Sequence, residues 1–97
     1  MSFRKRLKAI IKEERRSQRE FAEIVGIPLS TIEGYLNGKS QPTTGALEKI
    51  IQCEEYKKYT YWLMTGETLP ESGQVCPSFS ILEKCGLVDE SSEQKRA

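Results

Sequence analysis

Apolar positions recur at helical spacing from the start of the chain to about position 66, and the pattern loosens beyond it. Phe3, Leu7, Ile10, Ile11 and Glu14 follow the 3.6-residue period, an apolar stripe behind a basic face. They predict a first helix ending near Arg16. Ser17-Gln18-Arg19-Glu20 then reads as a capping box, in which the serine hydroxyl and the glutamate carboxylate satisfy orphan amides of a new helix. Phe21, Ala22, Ile24 and Val25 supply its buried side, and Gly26 can take the left-handed conformation that ends it. Pro28 suits the first turn of a third helix, where a missing N–H costs no intrahelical bond. Ile32 and Leu36 are that helix's inner anchors, Tyr35 is more a core residue than an outward one, and Asn37-Gly38 stops it.

A polar loop through Pro42 leads to a fourth helix, capped by Thr43 or Thr44, with Ala46, Leu47, Ile50 and Ile51 facing the core. A fifth runs from Glu54, carries Tyr59, Trp62 and Leu63, with Trp62 and Tyr59 as its core anchors, and ends at Gly66. Such short connections belong to a compact bundle. Turn residues dominate 67–73. Residues 74–79 read as a short extended segment that Pro77 confines to an edge or an intersubunit position. Phe79, Leu82 and Cys85 line a last helical turn before Gly86. The expected chain is all-α, with a helical body over 1–66, a C-terminal segment over 67–88 and a polar, disordered tail over 89–97.

Composition narrows the chemistry. With 97 residues, 37% of them hydrophobic and 30% charged, there is room for one domain with one small core. A domain of this size invites a metal or disulfide staple. There is no His, however, and Cys53, Cys76 and Cys85 stand far apart without a CxxC pair, which argues against zinc. The odd cysteine count, and a start too charged for a signal sequence (Arg4, Lys5, Arg6, Lys8), lead us to expect free thiols in a reducing cytoplasm. No apolar run is long enough to span a bilayer. No cofactor, membrane or small-molecule ligand is therefore expected.

The net charge of +1 hides an asymmetry. Residues 1–45 hold nine Lys or Arg and five Glu, whereas 46–97 hold six basic and nine acidic residues. The first half is thus the better candidate for facing a polyanion, although a solvated helix face would look the same.

The positions that combine with this charge are Ser17-Gln18-x-x-Phe21-Ala22-x-x-x-Gly26-Ile27, then Ile32-x-x-x-Leu36-Asn37-Gly38-Lys39-x-x-Pro42. Each element alone is common; the set, with the capping box in register, is specific. It resembles the helix-turn-helix of the Cro/CI-type phage repressors. A small Ala22 suits the close crossing of two helices, Gly26 makes the turn, and Ile27, Ile32 and Leu36 seat the second helix so that its other face projects outward. Further on, Lys58-Tyr59-Thr60-x-Trp62-x-Met64-Thr65 and Pro70-Glu71-Ser72-Gly73-Gln74-Val75-x-Pro77 are similar to the immunity repressors C of peduovirus-type temperate coliphages. The match covers most of 17–79. This resemblance implies a five-helix Cro/CI-type DNA-binding domain with a short extended dimerisation segment. It also implies a homodimer on double-stranded operator DNA with directly repeated half-sites, and repression of the early lytic promoter to hold lysogeny.

On that expectation the first residues of the recognition helix, Pro28, Leu29, Ser30 and Thr31, with Gly34 one turn on, meet base edges in the major groove. No Gln, Asn or Arg is among them, so DNA shape and phosphate positioning should carry a larger share. Phosphates should meet Ser17 and Gln18 at the start of the second helix, and Arg19, Asn37, Lys39 and Ser40 beside the recognition helix, with Arg15 and Arg16 as additions. Leu29 has a core or dimer contact as its competing role, and Ser30 and Thr31 have simple capping. Glu20 and Glu33 would repel phosphate and are expected to cap or pair internally. Leu63, Met64, Val75, Cys76, Pro77 and Phe79 are the expected dimer contacts.

Three other functions compete with this reading. Without His, neither a Ser/His nor a Cys/His nucleophile can be assembled, no Gly-rich phosphate loop is present, and 97 residues leave no room for a self-cleaving protease domain. An antitoxin with the same helix-turn-helix, whose tail wraps a toxin, stays open at this level. An activator would need an acidic polymerase-contacting patch that the sequence does not place.

Overall fold

A computed structural model describes residues 2–87, so the tail expected over 89–97 lies outside the described residues. Among the described residues six α-helices follow one another: α1 Phe3–Glu13, α2 Gln18–Val25, α3 Leu29–Leu36, α4 Thr44–Ile51, α5 Thr60–Thr65 and α6 Phe79–Lys84. Single 3-10 turns cover Lys57–Tyr59 and Pro70–Ser72. Among the described residues the only β-type pairing is an isolated antiparallel bridge between Leu69 and Gln74.

Ser2 starts α1, its hydroxyl accepting from the Lys5 amide at 3.3 Å. The helix stops at Glu13, earlier than the periodicity suggests, because the next residues close a reversal. Arg15 adopts φ 59°, its amide donates to Lys12 O (2.9 Å) and the Arg16 amide donates to Ile11 O (3.2 Å). That is a Schellman arrangement with arginine where glycine is usual. A left-handed L-residue costs roughly 1–2 kcal/mol, and glycine gives part of that back through its greater unfolded-state freedom. Arg15→Gly is therefore expected to raise stability by about 0.5–1 kcal/mol, read as a higher thermal midpoint.

The core lies between α1, α2, α3 and α5. Leu7, Ile10, Phe21, Ile32, Ile50, Tyr56 and Leu63 are almost completely removed from solvent. Each such side chain contributes on the order of 1.5–3 kcal/mol by burial. Leu36, Ala46 and Ile51 pack against this cluster only in part, and Leu47 is half-buried. Ile24, expected on the buried side of α2, is instead 37% exposed.

The fifth helix begins later than Glu54. The amides of Tyr56 and Lys57 both donate to Cys53 O (3.0 and 2.8 Å), which uses 53–57 as a tight turn before the 3-10 step into α5. The carboxylates of this turn are engaged by cations. Glu54 meets Lys57 at 2.8 Å, and Glu55 takes both Nη2 (2.7 Å) and Nε (2.9 Å) of Arg16.

The C-terminal segment differs most from expectation. Residues 74–79 add no strand; they lie along the bundle. The Val75 amide donates to Lys58 O at 2.9 Å. The Gln74 side chain bridges Lys57 O (3.1 Å) and the Tyr61 amide (2.9 Å). The Ser78 amide donates to Glu13 Oε1 at 2.8 Å, and α6 packs back on α1. Leu87, just past α6, is 4% exposed and joins the core.

Candidate nucleic-acid interface

Two helices joined by a tight turn form the site. At its entry the Ser17 hydroxyl accepts from the Glu20 amide (3.0 Å) and Glu20 Oε1 accepts from the Ser17 amide (2.8 Å). These bonds hold the Glu20 carboxyl below its ordinary value. The box is therefore complete above about pH 4.5 and weakens as pH falls through the lowered pKa. Ser17 is thus occupied by its own cap. The amides of Gln18 and Arg19, in the first turn of α2, have no intrahelical acceptor and point where an anion would be held.

Gly26, at φ 75°, ends α2. Its amide and that of Ile27 both donate to Ala22 O (2.9 and 3.0 Å), and Lys49 Nζ donates to Gly26 O at 3.3 Å, tying the turn to α4. Ala22, 5% exposed, lies where α2 packs on α3. Ile27, Ile32 and Tyr35, each 6% exposed or less, anchor the inner side of α3. The helix is thereby fixed with Ser30 and Gly34 opposite its buried face.

The five expected base-facing residues are not equivalent. Pro28 and Ser30 are exposed, whereas Leu29 and Thr31 are half-buried and Leu29 packs partly against the core. Gly34 is half-buried because the chain after α3 folds back over it. The amides of Lys39 and Ser40 donate to Gly34 O (2.9 and 3.2 Å), and a Cβ on Gly34 would come within 2.9 Å of Ser40 Oγ. Gly34 thus lets the exit loop close onto the recognition helix. That loop presents Asn37, Lys39 and Ser40, all exposed. Asn37 Oδ1 accepts from the Lys39 amide at 3.1 Å, which leaves its NH2 free to point outward.

Pairing sorts the cations. Arg16, Lys57 and Lys58 are held by Glu55, Glu54 and Glu14. Arg16 is therefore withdrawn from the expected phosphate set. Arg19 and Lys39 carry no ion pair within the described residues. Glu33, expected to cap or pair, does neither with a described residue and is exposed on the recognition helix. In general a carboxylate can accept from the amino hydrogens of cytosine and repels phosphate. Its position among outward residues of α3 was visible in the sequence; charge alone argued against it. Of the expected dimer contacts, Met64 (46%), Val75 (37%) and Phe79 (53%) are exposed and Cys76 is half-buried. Leu63 and Pro77 lie inside the single chain, Leu63 as a core residue whose carbonyl takes a 2.8 Å bond from Arg6 Nε.

Residues 7–53, from α1 to just past α4, match the family described as Helix-turn-helix. Over a longer span the chain is similar to Repressor protein C of Escherichia phage P2, with 36% identity over 84 residues, 87% of this chain and 85% of the phage protein. The chain belongs to the Cro/CI-type helix-turn-helix family. In this DNA-binding helix-turn-helix protein α2 and α3 are the paired helices, and α3 is the recognition helix. The similarity to the phage protein extends beyond the family domain into the region that holds α5 and the C-terminal segment. Among the described residues no helix is long and apolar enough to cross a membrane.

Proposed function

We propose that this helix-turn-helix protein is a sequence-specific transcriptional repressor of a temperate phage or prophage, closing the early lytic promoter to maintain lysogeny and immunity. The observation that carries the reading is the α2–turn–α3 unit, flanked by Arg19 and Lys39, which are exposed and make no ion pair among the described residues, in a chain similar to a phage repressor along most of its length. It acts in the cytoplasm of the bacterial host, on operator DNA. Pro28 and Ser30 approach base edges, with Leu29 and Thr31 at their flanks. Gln18, Arg19, Asn37, Lys39 and Ser40 hold phosphates. The protein works as a homodimer through the exposed apolar side chains of Met64, Val75 and Phe79, with Cys76 beside them.

Footprinting on the DNA that adjoins its own coding region is expected to show a protected operator, with light scattering giving twice the 11.1 kDa chain mass. Lys39→Ala should weaken binding to all sequences alike and flatten the dependence of log K on log salt by about one unit. A protein that protects no site there, or whose Lys39→Ala variant keeps the wild-type salt slope, does not bind as described.

A further inference from the structure

Arg4 lies outside the paired helices, near the start of α1, yet its side chain ends on the exit loop of the recognition helix. A Cβ built on Gly38 would meet Arg4 Nη1 at 3.1 Å, Cζ at 3.5 Å and Cδ at 3.6 Å. The guanidinium therefore rests on the bare backbone of Gly38. Only a residue without a side chain leaves that space open, and Gly38 also holds a left-handed φ of 81° that glycine tolerates best. Asn37 and Lys39 stand on either side, and Ser2, Arg4, Asn37, Gly38 and Ser40 line one groove.

No carboxylate holds Arg4 there. Within the described residues it makes no ion pair and no side-chain hydrogen bond, and it is exposed. Contact with the carbonyl end of α3 is favourable for a cation, but it leaves most of the five N–H donors of the guanidinium unused. An arginine seated beside Asn37, Lys39 and Ser40 with free donors matches the fork geometry of a phosphate.

We infer that Arg4 is a DNA-backbone ligand, delivered by α1 onto the Asn37–Ser40 loop, so that one phosphate is shared between the first helix and the exit of the recognition helix. The inference rests on the DNA-binding reading and extends the contact surface beyond the paired helices. Arg4 also fixes the approach of the whole bundle, because α1 carries the core residues Leu7 and Ile10.

The test is the salt dependence of operator binding by the full chain, for wild type, Arg4→Gln, Arg4→Lys and Lys39→Ala. A lost phosphate contact lowers the slope by about 0.9, so between 50 and 200 mM salt Arg4→Gln should lose about 3.5-fold less affinity than wild type. Arg4→Lys should restore most of the slope, and the thermal midpoints should stay together. If Arg4→Gln weakens binding by one constant factor at every salt concentration, or leaves it unchanged, Arg4 only supports the loop and the inference fails, while a flattened slope for Lys39→Ala keeps the DNA reading intact. If neither variant flattens the slope, or wild type binds no DNA, both fail.

Discussion

Phe21→Ala is expected to cost about 3–5 kcal/mol, the usual range for removing a buried aromatic side chain. Phe21 is fully buried in the first turn of α2, and its ring meets that of Tyr56 edge to face, with centroids 4.9 Å apart and planes at 87°. Truncation removes that pair and opens a cavity beside Tyr56, beneath α2. A domain of this size has on the order of 5–15 kcal/mol in total, so the loss takes a large share of it. At roughly 4–8 °C per kcal/mol the thermal midpoint should fall by more than about 12 °C. DNA binding should fall with it, because the cavity lies under the helix-turn-helix itself. Phe21→Leu should recover much of both. A midpoint shift of only a degree or two for Phe21→Ala would mean that α2 is not seated as described.

Much of this site was legible because local chemistry and tertiary packing agree along 17–38. The Ser17–Glu20 box, the Gly26 turn and the Ile27 and Ile32 anchors follow from residue type and spacing and are present, whereas Leu36, the third expected anchor, is only half-buried and Tyr35 beside it is buried. What spacing could not show is what folds over α3 from outside. Gly34 read as an open position on the outward face, but the Lys39 and Ser40 amides close on its carbonyl, a contact made by the chain beyond the helix. Arg4 could not be placed on Gly38 from the sequence for the same reason. By residue type Arg16 is available for phosphate, but Glu55, 39 residues on, holds it at 2.7 Å. Arg16 in turn holds the Glu55 carboxyl below its usual value.

The C-terminal segment illustrates a different limit. Val75, Pro77 and Phe79 alternate in a way that suits an extended strand, and a strand there would need a partner from another chain. The bundle provides a covering that alternation cannot reveal. Gln74, with bonds to Lys57 O and the Tyr61 amide, pins the segment before it reaches Pro77, and Glu13 receives the Ser78 amide after it. Two of the alternating side chains stay exposed while Pro77 goes inside. The segment therefore has two faces, one spent on the chain's own core and one left exposed.

The inward face yields the other large effect. Leu87 is 4% exposed at the far end of that segment, with its amide on Leu82 O at 2.8 Å. Leu87→Ala should cost about 2–5 kcal/mol, as for other buried leucines. A contact within one chain and a contact between chains differ in how that cost depends on concentration. If Leu87 packs on its own α1 bundle, the loss measured by denaturant unfolding is the same at low and high protein concentration. If it were buried chiefly against a partner chain, the cost would be small at low concentration, where both proteins are monomeric, and grow toward its full value as concentration rises and wild type associates. Phe79→Ser, on the exposed face, should behave in the opposite way. It leaves the stability of the single chain nearly unchanged and shifts the light-scattering mass from dimer toward monomer. Matching responses in the two variants would mean that Leu87 and Phe79 belong to one and the same packing surface.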